Sequence, residues 1–319
     1  MHRRSFLTGV SLSLALPGLA QARNFSGFLG SLRARALADG IPPAIVAQTT
    51  RNLTPNAAIL KLDHHQAEFT ETWDDYYSHV LSHARLRAGA QKAAQTRNLL
   101  AAVTSRYGVG AEPLLGIWGI ETNYGADQGD FSVIDALATL AWDRGSPFFA
   151  GQAIDAMRII ASGAAPAAKL LGSYAGAMGQ PQFMPGIYLS TAVSFAGNGH
   201  PDIWDSDADT LASMANYLMK YGWRPEQPSS EPVFAPDLTP AQTGRKVVRS
   251  LAEWQRAGVQ RLPGAPILPG DTQASVLLPG GAGGEAFLIY ANFHVIRRYN
   301  ASDFYALAVG ALGRSVLSA

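Results

Sequence analysis

The sequence "GIWGIETNYG" at residues 116–125 limits how this chain can fold, because it places one carboxylate in an apolar helical pattern. Glu121 follows Ile117 by four residues and Trp118 by three, so the three side chains share one helix face. A packed helix buries such a face, and a carboxylate is costly to bury without a partner. The three glycines cost helix stability, but they let another backbone or a ligand approach closely.

The predicted surroundings of Glu121 favour its protonated form. Burial disfavours the charged form, and the C-terminal end of a helix disfavours a negative charge. We expect Gly125 to stop this helix just after Tyr124. A glutamate that stays protonated near neutral pH can act as a general acid. The alternative is a structural hydrogen-bond network with Asn123 or a backbone amide, and the stretch alone does not decide between the two.

The composition is that of a globular protein. The chain has 319 residues, of which 47% are hydrophobic and 15% are charged, and its net charge is +1. This length allows two or three lobes around a sizeable core. The charge lacks the basic footprint of a nucleic-acid binder. The absence of cysteine excludes thiol catalysis, cysteine-bound zinc and disulfides.

Residues 1–22 predict export to the periplasm. They combine a basic start, a short apolar middle and an A-x-A cleavage pattern at Ala20-Gln21-Ala22. Arg3-Arg4 also resembles the start of a twin-arginine signal, so both export routes stay open. No cysteine follows the segment, so we expect no lipid anchor.

The remaining chain divides into four predicted regions. Residues 23–110 read as a helical lobe, and residues 111–225 as a core rich in glycine, aromatic residues and methionine. Residues 226–285 read as a small mixed lobe with strands, and residues 286–319 as a C-terminal helical segment that returns to the core. The predicted fold class is therefore mainly α, with some strands.

A second motif, "GSYAGAMGQPQFMPGIY" at residues 172–188, suits a sugar ligand. Aromatic and methionine faces can cover a pyranose ring, and amides can bond hydroxyl and acetamido groups. The motif alone does not identify a ligand, because a glycine-rich turn between core helices has the same composition.

In order and spacing, "GIETNYG", "GSYAGAMGQPQFMP", "NGHPDIWD", "ANYLMKYGW" and "ANFHVIRRYN" resemble the lytic murein transglycosylase B family. The resemblance covers roughly residues 25–315. It implies a lysozyme-like core with an extra helical lobe and a small strand-containing lobe. It also implies cleavage of the β-1,4 bond between N-acetylmuramic acid and N-acetylglucosamine in peptidoglycan strands, leaving 1,6-anhydromuramoyl ends.

The resemblance also implies roles for individual residues. The catalytic acid falls on Glu121, and Ser173 and Gln182 match positions that line the sugar subsites. The other side chains expected to bind substrate are Tyr124, Tyr174, Phe183, Met184, Asn292 and Tyr299.

One carboxylate can suffice for such a reaction. Most glycosidases use two, but a substrate acetamido group can replace the second. The acids after Glu121 lie in polar loops or at helix starts and are Asp127, Asp130, Asp135 and Asp143. We expect Glu121 to serve as acid and then as base. The alternatives are a hydrolytic muramidase on the same scaffold and a non-catalytic peptidoglycan-binding module.

The sequence "SFAGNGHPDIWD" at residues 194–205 aligns with a calcium loop of the EF-hand type found in some relatives. Such a loop needs oxygen ligands at positions 1, 3, 5, 9 and 12. Here Ala196 supplies none at the third position, which leaves a weak candidate set of Asn198, Asp202 and Asp205. We therefore expect no calcium and no other cofactor. Which proteins accompany the chain is not predicted.

Overall fold

The chain is mainly helical. The structure, a computed structural model, describes residues 24–66, 71–197 and 199–319, and the predicted export signal at residues 1–22 lies outside them. The described ranges contain fourteen α-helices and seven short strands, which confirms the mainly α fold class. Among these helices, none combines the length and the apolar character needed to cross a membrane.

Six helices make up the N-terminal part of the described chain, and their buried residues share one core with the central helices. The side chain of Asn24 caps the first helix, and that of Thr72 caps the fourth by accepting from the backbone N–H of Asp75. Gly108, with φ 66°, ends the sixth in the left-handed conformation. The helices are α1 (Phe25–Ala38), α2 (Pro43–Thr50), α3 (Ala57–Gln66), α4 (Trp73–Val80), α5 (His83–Gln95) and α6 (Arg97–Tyr107).

The central region holds five helices and one small two-stranded sheet. The helices are α7 (Ala111–Thr122), α8 (Val133–Arg144), α9 (Pro147–Ala161), α10 (Pro185–Thr191) and α11 (Asp207–Lys220). The strands β1 (Phe131–Ser132) and β2 (Leu171–Gly172) pair antiparallel. The sheet places the glycine-rich motif that follows β2 beside the start of α8.

The small lobe is an antiparallel sheet with its own core. Its elements are β3 (Ser230–Phe234), β4 (Arg249–Ser250), α12 (Leu251–Arg256), β5 (Gln260–Arg261), β6 (Gln273–Leu277) and β7 (Ala286–Ile289). The strand order is β4-β6-β7-β3-β5. Trp254 is fully buried at the centre of this core. Since β7 follows residue 285, the sheet extends past the predicted boundary of the lobe.

Two helices return the chain to the core, α13 (Ala291–Tyr299) and α14 (Asp303–Leu317). Glycines set the distance between α14 and α7. A Cβ atom at Gly116 would lie 2.0 Å from the carbonyl oxygen of Val309, and one at Gly313 would lie 2.0 Å from that of Glu112. No side chain fits at either position, so the two helix backbones are in direct contact.

This contact predicts a large cost for the smallest possible side chain. We expect Gly116→Ala to lower the free energy of unfolding by about 2–3 kcal/mol, because the added methyl group must separate two packed backbones. Gly30→Ala is the matched control, since Gly30 lies in α1 and a Cβ atom there would have no heavy atom within 4 Å. It should gain up to about 1 kcal/mol from helix propensity. Urea denaturation measures the free energy of unfolding of both variants, and equal changes in the two would contradict the prediction.

Candidate active site

The end of α7 fixes the position of Glu121 through two consecutive left-handed residues. Asn123 has φ 47° and Tyr124 has φ 61°, and Gly125 follows with φ 92°. The backbone N–H of Tyr124 donates to the carbonyl of Trp118 at 3.1 Å. Residues other than glycine rarely adopt this conformation, and it persists only where the surroundings enforce it. The helix thus ends earlier than predicted, one residue after Glu121.

Glu121 lies partly buried in the last turn of α7. Burial raises the pKa of its carboxyl from 4.5 to about 7, although a hydrogen bond from Tyr305 acts in the opposite direction. The Tyr305 hydroxyl donates to Oε1 at 2.5 Å. No neighbouring carboxylate in the described chain contributes to this pKa shift. The site therefore holds one tuned acid rather than a pair of carboxylates.

The negative charge of Glu121 also acts on three tyrosines. Burial and this charge raise the pKa of Tyr76 to about 12, and they raise the pKa values of Tyr299 and Tyr305 well above the usual 10. All three hydroxyls therefore stay protonated near neutral pH. Tyr305 can only donate its proton to the Glu121 carboxyl as a hydrogen bond, and it does not compete as a base.

Sequence reasoning missed Tyr305. It lies 184 positions from Glu121, and nothing in its local pattern distinguishes it from other residues of the apolar helix α14. The only signal was indirect, because the glycines of α7 predicted the close approach of another backbone without saying which one.

The glycine-rich motif is bonded directly to the end of α7. The indole N–H of Trp118 donates to Oε1 of Gln180 at 2.9 Å, and the Thr122 hydroxyl donates to the backbone carbonyl of Gln180 at 2.8 Å. The Tyr299 hydroxyl donates to the carbonyl of Pro181 at 2.5 Å. These contacts bring the 180–182 turn next to Glu121.

Ser173 and Gln182 are both partly exposed in this motif. The Ser173 hydroxyl accepts from the backbone N–H of Ala177 at 3.1 Å. Gln182 has φ 50°, and its Nε2 donates to the carbonyls of Gln128 and Gly179 at 3.0 Å each. The side-chain amide of Gln182 is therefore held in one orientation by the backbone.

Three of the predicted substrate contacts are buried side chains. Tyr124, Phe183 and Asn292 are 5%, 2% and 0% exposed. Tyr124 packs edge-on against Trp118. Asn292 accepts from the backbone N–H of Arg224 and donates to its carbonyl, both at 2.8 Å. A side chain enclosed in this way has almost no surface to offer a sugar, so the structure favours a supporting role for these three, and their contact with a sugar stays a prediction.

The remaining predicted contacts keep part of their surface exposed. They are Tyr174, Met184 and Tyr299. Tyr299 is brought close enough to Glu121 for the carboxylate charge to act on it. Tyr174 packs instead against a small cluster that contains Leu140 of α8. Binding of sugar by these residues, and by Ser173 and Gln182, stays a prediction.

Two of the three candidate metal ligands form ion pairs with a lysine of the protein itself. Asn198 lies outside the described residues, and both Asp202 and Asp205 pair with Lys169. Elsewhere in the described ranges, Asp63, His64 and Asp143 could together supply three ligand atoms. Arg144 already binds both carboxylate oxygens of Asp63.

Comparison with known proteins identifies relatives over most of the chain. The family model described as "Transglycosylase SLT domain" matches residues 24–314. The membrane-bound lytic murein transglycosylase B of Escherichia coli is 37% identical over 214 residues. The match covers 66% of this chain but 58% of that protein, so less than two thirds of its length is represented.

Solved structures agree with this match. SltB3 from Pseudomonas aeruginosa, in complex with NAG-NAM-pentapeptide, is 39% identical with a TM-score of 0.87, over 93% of this chain and 80% of that one. The same protein with NAG-anhNAM-pentapeptide also gives 0.87. The Escherichia coli lytic transglycosylase Slt35, in complex with calcium, is 29% identical with a TM-score of 0.78, over 91% and 93%.

These neighbours confirm the lysozyme-like fold that the motifs implied. The order of the motifs, the single acid at the end of α7 and a family match over nearly the whole described chain lead to one conclusion. This chain belongs to the transglycosylase SLT domain family.

Proposed function

We propose that the chain is a lytic transglycosylase that cleaves the β-1,4 bond between N-acetylmuramic acid and N-acetylglucosamine in peptidoglycan. Family membership supports the reaction class, and the muropeptide complexes of SltB3 support glycan strands as the partner. The observation that carries the mechanism is the state of Glu121, a lone carboxyl whose pKa burial raises to about 7.

In the first stage, Glu121 donates its proton to the oxygen that bridges the two sugars. Because the Tyr305 hydroxyl donates to Oε1, the acidic proton belongs on Oε2, which is left for the substrate. The same hydrogen bond stabilises the carboxylate that forms, so it assists proton release. The bond from the muramoyl C1 to the bridging oxygen then breaks, and an oxocarbenium-like centre develops at C1.

In the second stage, the substrate supplies what a second protein carboxylate would. The acetamido oxygen of the muramoyl residue stabilises C1. The Glu121 carboxylate then takes the proton from the C6 hydroxyl of the same sugar, and the C6 oxygen bonds to C1. This step returns the proton to Glu121 and yields the 1,6-anhydro ring. An attack within one sugar gains from proximity.

Gln182 and Ser173 would orient the sugars in this scheme. Since Nε2 of Gln182 is occupied by two backbone carbonyls, its Oε1 is the atom suited to accept an acetamido N–H. Tyr299 and Met184 would supply the apolar faces that cover a ring.

The products of a peptidoglycan digest test the proposed reaction. We expect anhydromuramoyl ends, which are one water lighter than hydrolytic ends, when the digest is examined by mass spectrometry. Glu121→Gln should lower the rate at least about 100-fold because it removes the general acid. Asp127→Asn is the control, since Asp127 is exposed just beyond the same turn and should keep activity.

Other outcomes of that digest would favour the two alternatives. Reducing ends would show a hydrolytic muramidase, in which water replaces the C6 hydroxyl. Binding of the wild-type protein to peptidoglycan without cleavage would show a binding module. Full activity of Glu121→Gln would remove Glu121 from its proposed role.

The pKa of Glu121 predicts how activity depends on pH. The acid must be protonated, so kcat/KM should fall as the pH rises through about 7. Tyr305→Phe removes the hydrogen bond that favours the charged form, which raises the pKa further. The alkaline limb of its pH profile should therefore move to higher pH, although kcat falls.

Tyr77→Phe is the control for this profile. Tyr77 packs on Trp73 in α4, and the Glu121 charge is not among the causes of its raised pKa. Its alkaline limb should match that of the wild type. A shift of the Tyr305→Phe limb to lower pH would show that the hydroxyl does not stabilise the carboxylate.

We also propose that the protein acts in the periplasm after removal of residues 1–22. The basic start and the A-x-A pattern support this proposal. The intact mass of the protein purified from the periplasm should correspond to a chain that begins at Arg23. A full-length chain in the cytoplasm would contradict it.

A further inference from the structure

A single ammonium group bridges two carboxylates in the loop at residues 194–205. Lys169 ends a short 3-10 turn, Ala167–Lys169, on the neighbouring segment. Its Nζ lies 2.8 Å from Oδ2 of Asp202 and 2.6 Å from Oδ2 of Asp205. One ammonium group is therefore paired with both acids of the loop.

Two carboxylates, one in the loop and one in α11, also accept hydrogen bonds from the loop backbone. Oδ1 of Asp202 accepts from the backbone N–H groups of Trp204 and Asp205, at 3.0 and 3.1 Å. The carboxylate of Asp209, in α11, accepts from the N–H groups of Phe195 and Asp202, both at 2.8 Å. Hydrogen bonds from the backbone to the carboxylates of Asp202 and Asp209 therefore hold the loop at both ends.

The donor set suits an ammonium better than a divalent cation. The third ligand position is Ala196, which has no side-chain oxygen, and the first is the neutral Ser194. Calcium takes six to eight oxygen ligands and favours a high carboxylate count. A lysine needs only two or three acceptors at hydrogen-bond distance, which Asp202 and Asp205 supply.

The loop matters because it is hydrogen-bonded to residues that hold the end of α7 and the 180–182 turn. The backbone carbonyl of Trp204 accepts from Nε2 of Gln128 at 3.0 Å and from Nε2 of Gln180 at 3.1 Å. Gln180 is the residue that bonds Trp118 and Thr122 at the end of α7, and the carbonyl of Gln128 holds Gln182.

We infer that the Lys169 ammonium takes the place of the divalent cation in this loop, so that the loop and the adjoining 180–182 turn fold without calcium. The lysine arrives from a different segment of the chain, so it links that segment to the loop as a bound ion could not. By contrast, the relative Slt35 was solved in complex with calcium. The inference concerns stability and ion binding and stands apart from the proposed glycan cleavage.

Thermal unfolding tests whether the Lys169 ammonium, rather than calcium, stabilises the loop. The Tm of the wild type should be the same in a chelator and in about 1 mM calcium, a concentration that saturates sensor-type EF-hands. Lys169→Met should lower the Tm by about 2–4 °C, since it removes two partly exposed ion pairs and leaves two acids facing each other. Lys246→Met is the control, because Lys246 is exposed and forms no ion pair within the described chain. Lys169→Arg should restore most of the loss.

Variants that could gain calcium binding test whether the ammonium occupies the place of the ion. Ala196→Asp supplies the missing third ligand, but the ammonium should still exclude the ion, so this variant should show no heat with calcium chloride in calorimetry. The double variant Lys169→Met with Ala196→Asp should bind calcium and recover Tm.

Four results would overturn the inference. The first three are a calcium-dependent Tm in the wild type, calcium binding by Ala196→Asp alone, and a Lys169→Met variant as stable as Lys246→Met. Failure of the double variant to bind calcium would show that the ammonium does not occupy the place of the ion.

Discussion

The direct contact between the backbones of α7 and α14 is the constraint on which the site depends. Gly116 and Gly313 leave no room between the helices, so α14 covers the face of α7 that carries the acid. That covering brings Tyr305 within hydrogen-bond distance of Glu121. The burial that raises the pKa of Glu121 and the Tyr305 hydroxyl that lowers it thus both result from the packing of α14 on α7.

Two opposing effects then set the chemistry of the carboxyl. Burial favours the neutral form, and a hydroxyl donor favours the charged form. The proposed mechanism uses this carboxyl first as an acid and then as a base, so both forms must be accessible, and a pKa of about 7 provides this near neutral pH. Neighbouring tyrosines suit this balance, because a lysine or arginine in the same place would favour the charged carboxylate too strongly.

Local patterns in the sequence predicted the mainly helical fold and the strand-containing lobe, and they singled out Glu121 as a carboxylate on an apolar helix face; the resemblance to a family implied its role as the acid. Apolar spacing and capping residues act within a few positions, so Glu121 could be found from its own helix. Tyr305 could not, because its contact with Glu121 depends on how α14 docks. The burial of individual side chains could not be predicted from the sequence either. Asn292 and Phe183 lie in segments typical of a sugar site, but only packing shows that their side chains face inward.

The separation of Glu121 and Tyr305 by 184 positions has a consequence for the life of the chain before it folds. A chain still being synthesised, or kept unfolded for passage across a membrane, contains an ordinary glutamate with a pKa near 4.5. The tuned acid appears only when the last helix docks. In the proposed mechanism, an unfinished or truncated chain therefore lacks the general acid with its raised pKa, and activity can begin only after the last helix has docked.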